Sequence, residues 1–309
     1  MSFPTLEIRH WVLLTFVGSA LYVHLRGKVR FKLARALTDF TVLLAPINML
    51  MYAFSRIPRS AYINVAQFPE LVELQKHWPT IRDEALRLND EGYIRAAAGY
   101  TDIGFNSFFR TGWKRFYLTW YGKDLASAQA LCPQTVALLR GIPSIKAAMF
   151  ASLPPGARLV RHRDPYAGSL RFHLGLQTPN DPGCYIDVDG QRYHWRDGEA
   201  VMFDETYIHT AANTTDQQRV ILFCDIERPL WGSPLRAFNR LVAKHFMAAA
   251  STQNVNGEPI GGLNKAFAHA YKLRAAAKEF KRGNRLAYYV LKWLAIAGLC
   301  GRSSGDALR

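Results

Sequence analysis

Turn signals crowd the stretch from Ala147 to Ile226, where Pro154-Pro155-Gly156, Asp181-Pro182-Gly183, Asp189-Gly190 and Asp197-Gly198 follow one another. Breaks that close together leave no room for ordinary helices and favour short strands joined by tight turns. Between them, Arg158–Arg163, Leu170–Gln177, Cys184–Val188, Gln191–Trp195, Ala200–Asp204 and Arg219–Ile226 read as strands. Asp189-Gly190 reads as a two-residue hairpin turn, a conformation those residue types tolerate. Strands at this spacing predict a double-sheet jelly roll, or double-stranded β-helix.

Helical patterns lie on both sides of this block, so the expected class is α+β. A polar region at Pro69–Ala98 carries Leu71, Leu74, Trp78, Ile81 and Leu86 at near-helical spacing, which predicts a packed amphipathic helix pair. An aromatic and basic stretch, Gly104–Gly122, precedes a helix expected over Leu125–Leu139. The resulting division is an N-terminal membrane anchor with basic border (1–35), a helical and aromatic-rich segment packed on the core (36–146), the jelly-roll core (147–229), and a basic C-terminal region with an apolar membrane-associated helix (230–309).

Charge separates the flanks from the centre. The chain has 309 residues and a formal net charge of +15, yet residues 81–227 hold 16 basic and 17 acidic side chains, so the excess lies outside them. It borders apolar runs. Trp11–Leu25 (WVLLTFVGSALYVHL) is followed by Arg26, Lys28, Arg30, Lys32 and Arg35, and Ala287–Gly301 is preceded by Lys278, Lys281, Arg282 and Arg285. A cleaved signal peptide has the opposite order, with positive charge before its apolar core. The first run therefore reads as a retained anchor, and the last as a segment that spans, re-enters or lies in the interface. A third run, Thr41–Phe54, is also short for a span. Basic charge bordering apolar runs fits a membrane partner and no nucleic acid. Cys132, Cys184, Cys224 and Cys300 lie far apart without zinc-type spacing, which fits free thiols in a reducing compartment.

Chemistry concentrates in the strand-rich block. His162 and Asp164 stand two residues apart, on one face of a strand, and His209 follows at the end of a later strand and loop. Two imidazoles and a carboxylate cap one face of an octahedral ion and leave positions open, the arrangement of non-haem Fe(II) oxygenases. Arg219 opens a strand soon after, where a guanidinium can hold a carboxylate bidentately. Arg171 and His173 share one face of their strand, and pointing them inward is costly unless an anion or metal is there. The opposing reading leaves them in solvent with Phe172 and Leu174 as core.

Three segments of this block, HRDPYAGSLRFHLGL from His162, GEAVMFDETYIHTAANTT from Gly198 and RVILFCDIERP from Arg219, resemble the aspartyl/asparaginyl β-hydroxylase family of Fe(II)/2-oxoglutarate dioxygenases. The likeness is strongest to bacterial members that hydroxylate lipid A. It extends over nearly the whole chain, through LYVHLRGKVRFK, APINMLMYAFSRIP and FNSFFRTGWKRFYLTWYG. The resemblance implies that His162, Asp164 and His209 bind Fe(II), that Arg219 holds the distal carboxylate of 2-oxoglutarate, and that Arg171, His173 and Trp113 contribute to the cosubstrate pocket. It also implies a reaction with O2 that hydroxylates C-2 of a secondary acyl chain of lipid A and releases succinate and CO2. Two positions depart from the animal aspartyl β-hydroxylase: Asp164 stands where that enzyme has Gly, and Ala151 where it has a cosubstrate-binding Ser, with Ser152 facing the other way.

Other residues have weaker readings. Trp113, Trp120, Phe105, Phe108, Phe109, Phe116, Tyr117 and Tyr121 can line an acyl channel or form core. Lys114, Arg115, Arg110 and Arg161 can meet lipid phosphates or water. Asp187 and Asp189 read as turn residues, and Asp204 and Glu205 as groups ordering the His209 loop. Three functions remain: a membrane-bound lipid A hydroxylase, a hydroxylase of Asp or Asn side chains in proteins, and a catalytically silent binding protein. The basic, apolar ends disfavour the second and the His/Asp/His/Arg set the third. Basic borders on both terminal runs predict a catalytic domain on the cytoplasmic side of a bacterial inner membrane.

Overall fold

The computed structural model describes residues 7–36, 39–97 and 101–294. Its strands are β1 (Tyr62–Ile63), β2 (Lys114–Trp120), β3 (Lys123–Asp124), β4 (Ile145–Leu153), β5 (Arg158–His162), β6 (Ser169–Gln177), β7 (Cys184–Val188), β8 (Gln191–His194), β9 (Ala200–Phe203), β10 (His209–Asn213) and β11 (Arg219–Glu227). The helices are α1 (Ile8–Leu25), α2 (Leu33–Ala36), α3 (Phe40–Leu43), α4 (Ala45–Ala53), α5 (Pro69–Lys76), α6 (Trp78–Asp90), α7 (Asn106–Phe109), α8 (Ala126–Leu131), α9 (Pro133–Arg140), α10 (Ser233–Val242) and α11 (Gly262–Gly283). Residues 285–294 are also helical.

Two antiparallel sheets form a jelly-roll-like core. The larger runs β1-β9-β6-β11-β4-β2-β3 and the smaller β5-β10-β7-β8. At the centre of the larger sheet β11 pairs along its length with both β4 and β6. Every residue of β6 before Gln177 is buried, because its two faces are covered differently. Phe172 and Leu174 lie on the outer face, against which α6 packs, while Arg171 and His173 turn into the cavity between the sheets. Both sequence readings of that strand are thus partly right: the apolar pair is core, and the polar pair is inward. Asp189 and Gly190 adopt φ of 53° and 82°, as the predicted hairpin turn requires.

Four elements differ from their sequence patterns, the first being β4, a central strand that the sequence did not single out. The aromatic stretch forms β2, a strand beside β4 and outside residues 147–229, because its alternation buries Phe116 and Leu118 on one face and Tyr117 on the other. The segment after Asp204 is not all loop, since His209–Asn213 pairs between β5 and β7. The helix expected over Leu125–Leu139 is interrupted at Cys132, with Pro133 starting its second part, where a missing N–H costs nothing.

The apolar runs have different fates. The helix α1, 18 residues long, is long and apolar enough to cross a membrane, a property no other helix among the described residues shares. Its length is about 27 Å at 1.5 Å per residue, near the thickness of a hydrocarbon core. Trp11, Leu13, Leu14, Val17 and Leu21 are exposed on it. Thr41–Phe54 instead packs on the protein: in α4, Ala45, Asn48, Met51 and Tyr52 are buried, and the Asn48 side chain bonds Pro165 O and Ala167 N at 2.9 Å each. Of the last apolar run only 287–294 lies within the described residues, as a helix that is half-buried over 287–289 and exposed from Val290 to Leu294. Cys132, Cys184 and Cys224 are free and buried, and Cys300 lies outside the described residues.

Candidate active site

The two strands of the smaller sheet that carry the histidines are neighbours. β5 ends on His162 and β10 begins on His209, which are register partners with ring centroids 4.1 Å apart. Asp164, just past β5, brings its Oδ1 to 3.8 Å from His162 Nε2. Ligand atoms of His162, Asp164 and His209 all lie within 4.8 Å of one another. The spacing of His162 and Asp164 was legible in the sequence; that His209 faces them was decided by strand pairing.

Backbone carbonyls set the tautomers. His162 Nδ1 lies 2.7 Å from Val160 O and His209 Nδ1 lies 2.9 Å from Tyr207 O. A carbonyl only accepts, so each Nδ1 carries the proton and each Nε2 keeps its lone pair for a ligand bond. Burial lowers the pKa of His162 to about 3, helped by the neighbouring His209, and that of His209 to about 4. Both rings are therefore neutral near pH 7, as metal ligation needs.

Behind Asp164 sits a buried charge network that the sequence only hinted at. Arg171 Nη2 donates to Asp164 Oδ2 at 2.5 Å, Nε to Glu205 Oε2 at 2.6 Å, and Nε pairs with Asp225 Oδ1 at 3.2 Å. Ser169 donates to Glu205 and Tyr121 to Asp225. Burial pushes the carboxyls of Glu205 and Asp225 up against the pull of Arg171. Asp225 escaped notice in the sequence, although it shares inward parity with Arg219, Ile221 and Phe223 on β11. Arg171 lines the cavity, but its guanidinium is committed to three carboxylates.

Arg219 is the contrasting case. It is 2% exposed, stacks on Trp195 at 4.4 Å, and touches one acceptor, Ala151 O at 3.5 Å. Its Nε has no hydrogen-bond partner, and among the described residues no carboxylate pairs with it. Burial lowers its pKa to about 10. Both ring nitrogens of buried His173 are also without partners, and its pKa is pushed well down by burial and by Arg171. An uncompensated buried guanidinium is expensive unless an anion completes it. The donor set thus fits both expected guests: N, N and O ligands for Fe(II), and a free guanidinium with an imidazole for a carboxylate.

The cavity's remaining wall is apolar. Phe105, Phe108 and Trp113 line it, with Phe105 stacked on Trp113 at 4.7 Å and Phe108 against His162 at 4.6 Å. Phe116, Tyr117, Trp120 and Tyr121 are core. Ser152 points away, accepting a bond from Gln218 at 2.8 Å, as strand alternation predicts. Arg115, expected to meet phosphate or water, is buried and paired with Asp102 at 3.0 Å. Lys114 and Arg161 are exposed. Asp187 accepts from Gly190 N across its turn.

The chain is similar to known proteins. A family model described as aspartyl/asparaginyl beta-hydroxylase matches residues 75–229. An ornithine lipid ester-linked acyl 2-hydroxylase of Rhizobium tropici is 37% identical over 206 residues, covering 65% of this chain and 72% of that protein. The human aspartyl/asparaginyl beta-hydroxylase is 27% identical over 168 residues, covering 52% of this chain and 22% of its own. A Pseudomonas putida prolyl-4-hydroxylase structure aligns at a TM-score of 0.34 and 20% identity, covering 50% of this chain and 88% of its own. With the family's region spanning α6, both histidine strands and Arg219, the chain belongs to the aspartyl/asparaginyl β-hydroxylase family.

Proposed function

We propose that this hydroxylase is an Fe(II)/2-oxoglutarate-dependent dioxygenase that hydroxylates C-2 of a secondary acyl chain of lipid A at the cytoplasmic face of the inner membrane. The observation that carries the reading is one cavity holding both the His162/Asp164/His209 cluster and the unpaired Arg219 guanidinium. His162, Asp164 and His209 hold the metal, and Arg219, beside His173, holds the distal carboxylate of 2-oxoglutarate. When bound, Fe(II) with 2-oxoglutarate and O2 supplies the oxidising power for an unactivated C–H bond, with succinate and CO2 as coproducts.

The chain's own residues do the binding and aiming. Arg171 pins Oδ2 of Asp164, which leaves Oδ1 as the oxygen that would bind a metal. The carbonyls of Val160 and Tyr207 hold the imidazoles in the ligating tautomer. Phe105, Phe108 and Trp113 form an apolar wall that excludes water from the reacting carbon. Trp113 contributes there through packing, and Arg171 to the cosubstrate pocket through Asp164.

Lipid as substrate is supported by the acyl-hydroxylating relative and by α1. C-2 lies one carbon from the ester carbonyl, at the hydrocarbon boundary, and α1 ends at Leu25 beside the site-bearing loops. Mass spectrometry of lipids from cells with and without the gene tests the substrate. A gain of one oxygen on lipid A that depends on the gene is expected. Gain on an aminoacyl lipid alone, or on protein Asp or Asn side chains alone, overturns the lipid A assignment.

A further inference from the structure

A membrane tether needs only a flexible link to its domain, but the end of α1 is built into the protein. Arg26, the residue after α1, has a side chain 6% exposed. Its Nη2 lies 2.5 Å from Asp204 Oδ2, its Nη1 donates to Thr206 Oγ1 at 2.6 Å, and its guanidinium sits 4.0 Å from the centroids of both Tyr52 and Tyr207. The basic border read from the sequence as a membrane contact therefore loses its first member to the core. Lys28, Arg30, Lys32 and Arg35 remain exposed.

A second arginine makes the same connection from the other side. Arg163, between His162 and Asp164, is buried; it donates through Nη1 to Val23 O at 3.0 Å and through Nε to Asp39 Oδ1 at 3.2 Å. Val23 lies in the last turn of α1, whose carbonyls have no partner within the helix. Two further contacts tighten the junction: Arg35 Nη2 to Arg161 O at 2.7 Å, and Val29 N to Asp189 Oδ1 at 2.8 Å. Asp189 N in turn donates to Ile208 O, next to His209. The segment leaving α1 thus grips residues 161–163 and 204–208, stretches that contain His162 and directly adjoin Asp164 and His209. Asp164 N donates to Glu205 O at 2.9 Å and joins the stretches directly.

We propose that the end of the anchor helix is part of the metal centre, with Arg26 and Arg163 as positioning residues that set the two ligand-bearing stretches against each other. Metal affinity then depends on docking of α1, and the membrane helix fixes where the reacting centre stands relative to the bilayer. The inference rests on His162, Asp164 and His209 holding the metal.

The test measures Mn(II) binding by electron paramagnetic resonance to the full chain in lipid nanodiscs, where Mn(II) reports the site without turnover. Arg26→Met and Arg163→Met are each expected to weaken Mn(II) binding roughly 10–100-fold, the usual effect of losing a group that orients metal ligands. Arg115→Met removes a buried ion pair elsewhere and is expected to lower thermal stability with Mn(II) affinity unchanged. Arg26→Lys keeps a charge on Asp204 but loses the bond to Thr206, and is expected to weaken binding several-fold; it carries the test if Arg26→Met does not fold. Wild-type affinity in the Arg26 and Arg163 variants, or an equal loss in Arg115→Met, overturns the coupling. The His162→Ala/His209→Ala double variant separates the premise: wild-type Mn(II) affinity there overturns the metal site itself.

Discussion

Arg171 and Arg219 occupy one cavity and differ in whether a carboxylate of the protein already answers their charge. From this, Arg219→Ala is expected to raise the 2-oxoglutarate requirement while leaving metal binding nearly intact, with a loss of about 2–5 kcal/mol for a buried paired charge. Arg219→Lys should recover little, since an ammonium cannot reproduce the planar fork. Cosubstrate saturation curves of the two variants check this, and an unchanged curve in Arg219→Ala sinks the assignment. His162→Ala and His209→Ala should abolish hydroxylation together with metal binding. Asp164→Gly should retain some turnover at raised iron, as the resemblance to the animal enzyme implies; metal titration beside activity distinguishes the cases. The same histidines give the metal-free protein a pH dependence. Their folded pKa values, about 3 and about 4, lie below the unfolded value of about 6.5. The unfolded chain therefore takes up protons first, and stability that is full above pH ~6.5 declines as pH falls toward 4. Urea midpoints between those limits should fall in the wild type and fall less in His209→Gln.

Among the elements, β6 is the most tightly constrained, with charge on one face and helices on the other. A Cβ at Gly175 would lie 2.0 Å from the Arg196 carbonyl oxygen, which belongs to backbone and cannot step aside. Gly175→Ala is expected to cost about 1–3 kcal/mol by overpacking, read as a lower thermal midpoint. The orientation of α1 is a second expectation at this scale. Its exposed followers Lys28, Arg30, Lys32 and Arg35 still favour a cytoplasmic domain after Arg26 is discounted. Alkaline phosphatase fused after Pro229 should stay silent, and activity from that fusion would reverse the orientation. Element type was legible wherever alternation or helical spacing was strong, as in β6, β7, β11, α5 and α6. It failed at β2, β4 and β10, where pairing partners far along the chain decide whether a segment becomes strand.

For the molecule as a whole, a metal bound only by the folded state should stabilise it. At 100 times its dissociation constant the gain is about 2.7 kcal/mol, visible as a rise in thermal midpoint with Mn(II) that disappears in the His162→Ala/His209→Ala variant. The larger sheet recruits β1, β2 and β3 from outside residues 147–229, and the segment after α1 bonds to β5 and to the β7–β8 turn of the smaller sheet.

The sequence by itself determined the turns and six strands of the core, the apolar helix at the start, the His162/Asp164 pair and the nomination of His209 and Arg219. Those features are local: side-chain alternation, turn chemistry and hydrophobic length act over a few residues. Only the tertiary structure decided which arginines are already spent. Arg26, Arg115 and Arg171 look like surface or ligand-binding charges in one dimension, yet each is neutralised by a carboxylate distant in the chain or on a neighbouring element. Arg219 looks the same and has no such partner. Pairing of buried charge depends on which strands and helices meet, and that is settled by packing across the whole chain.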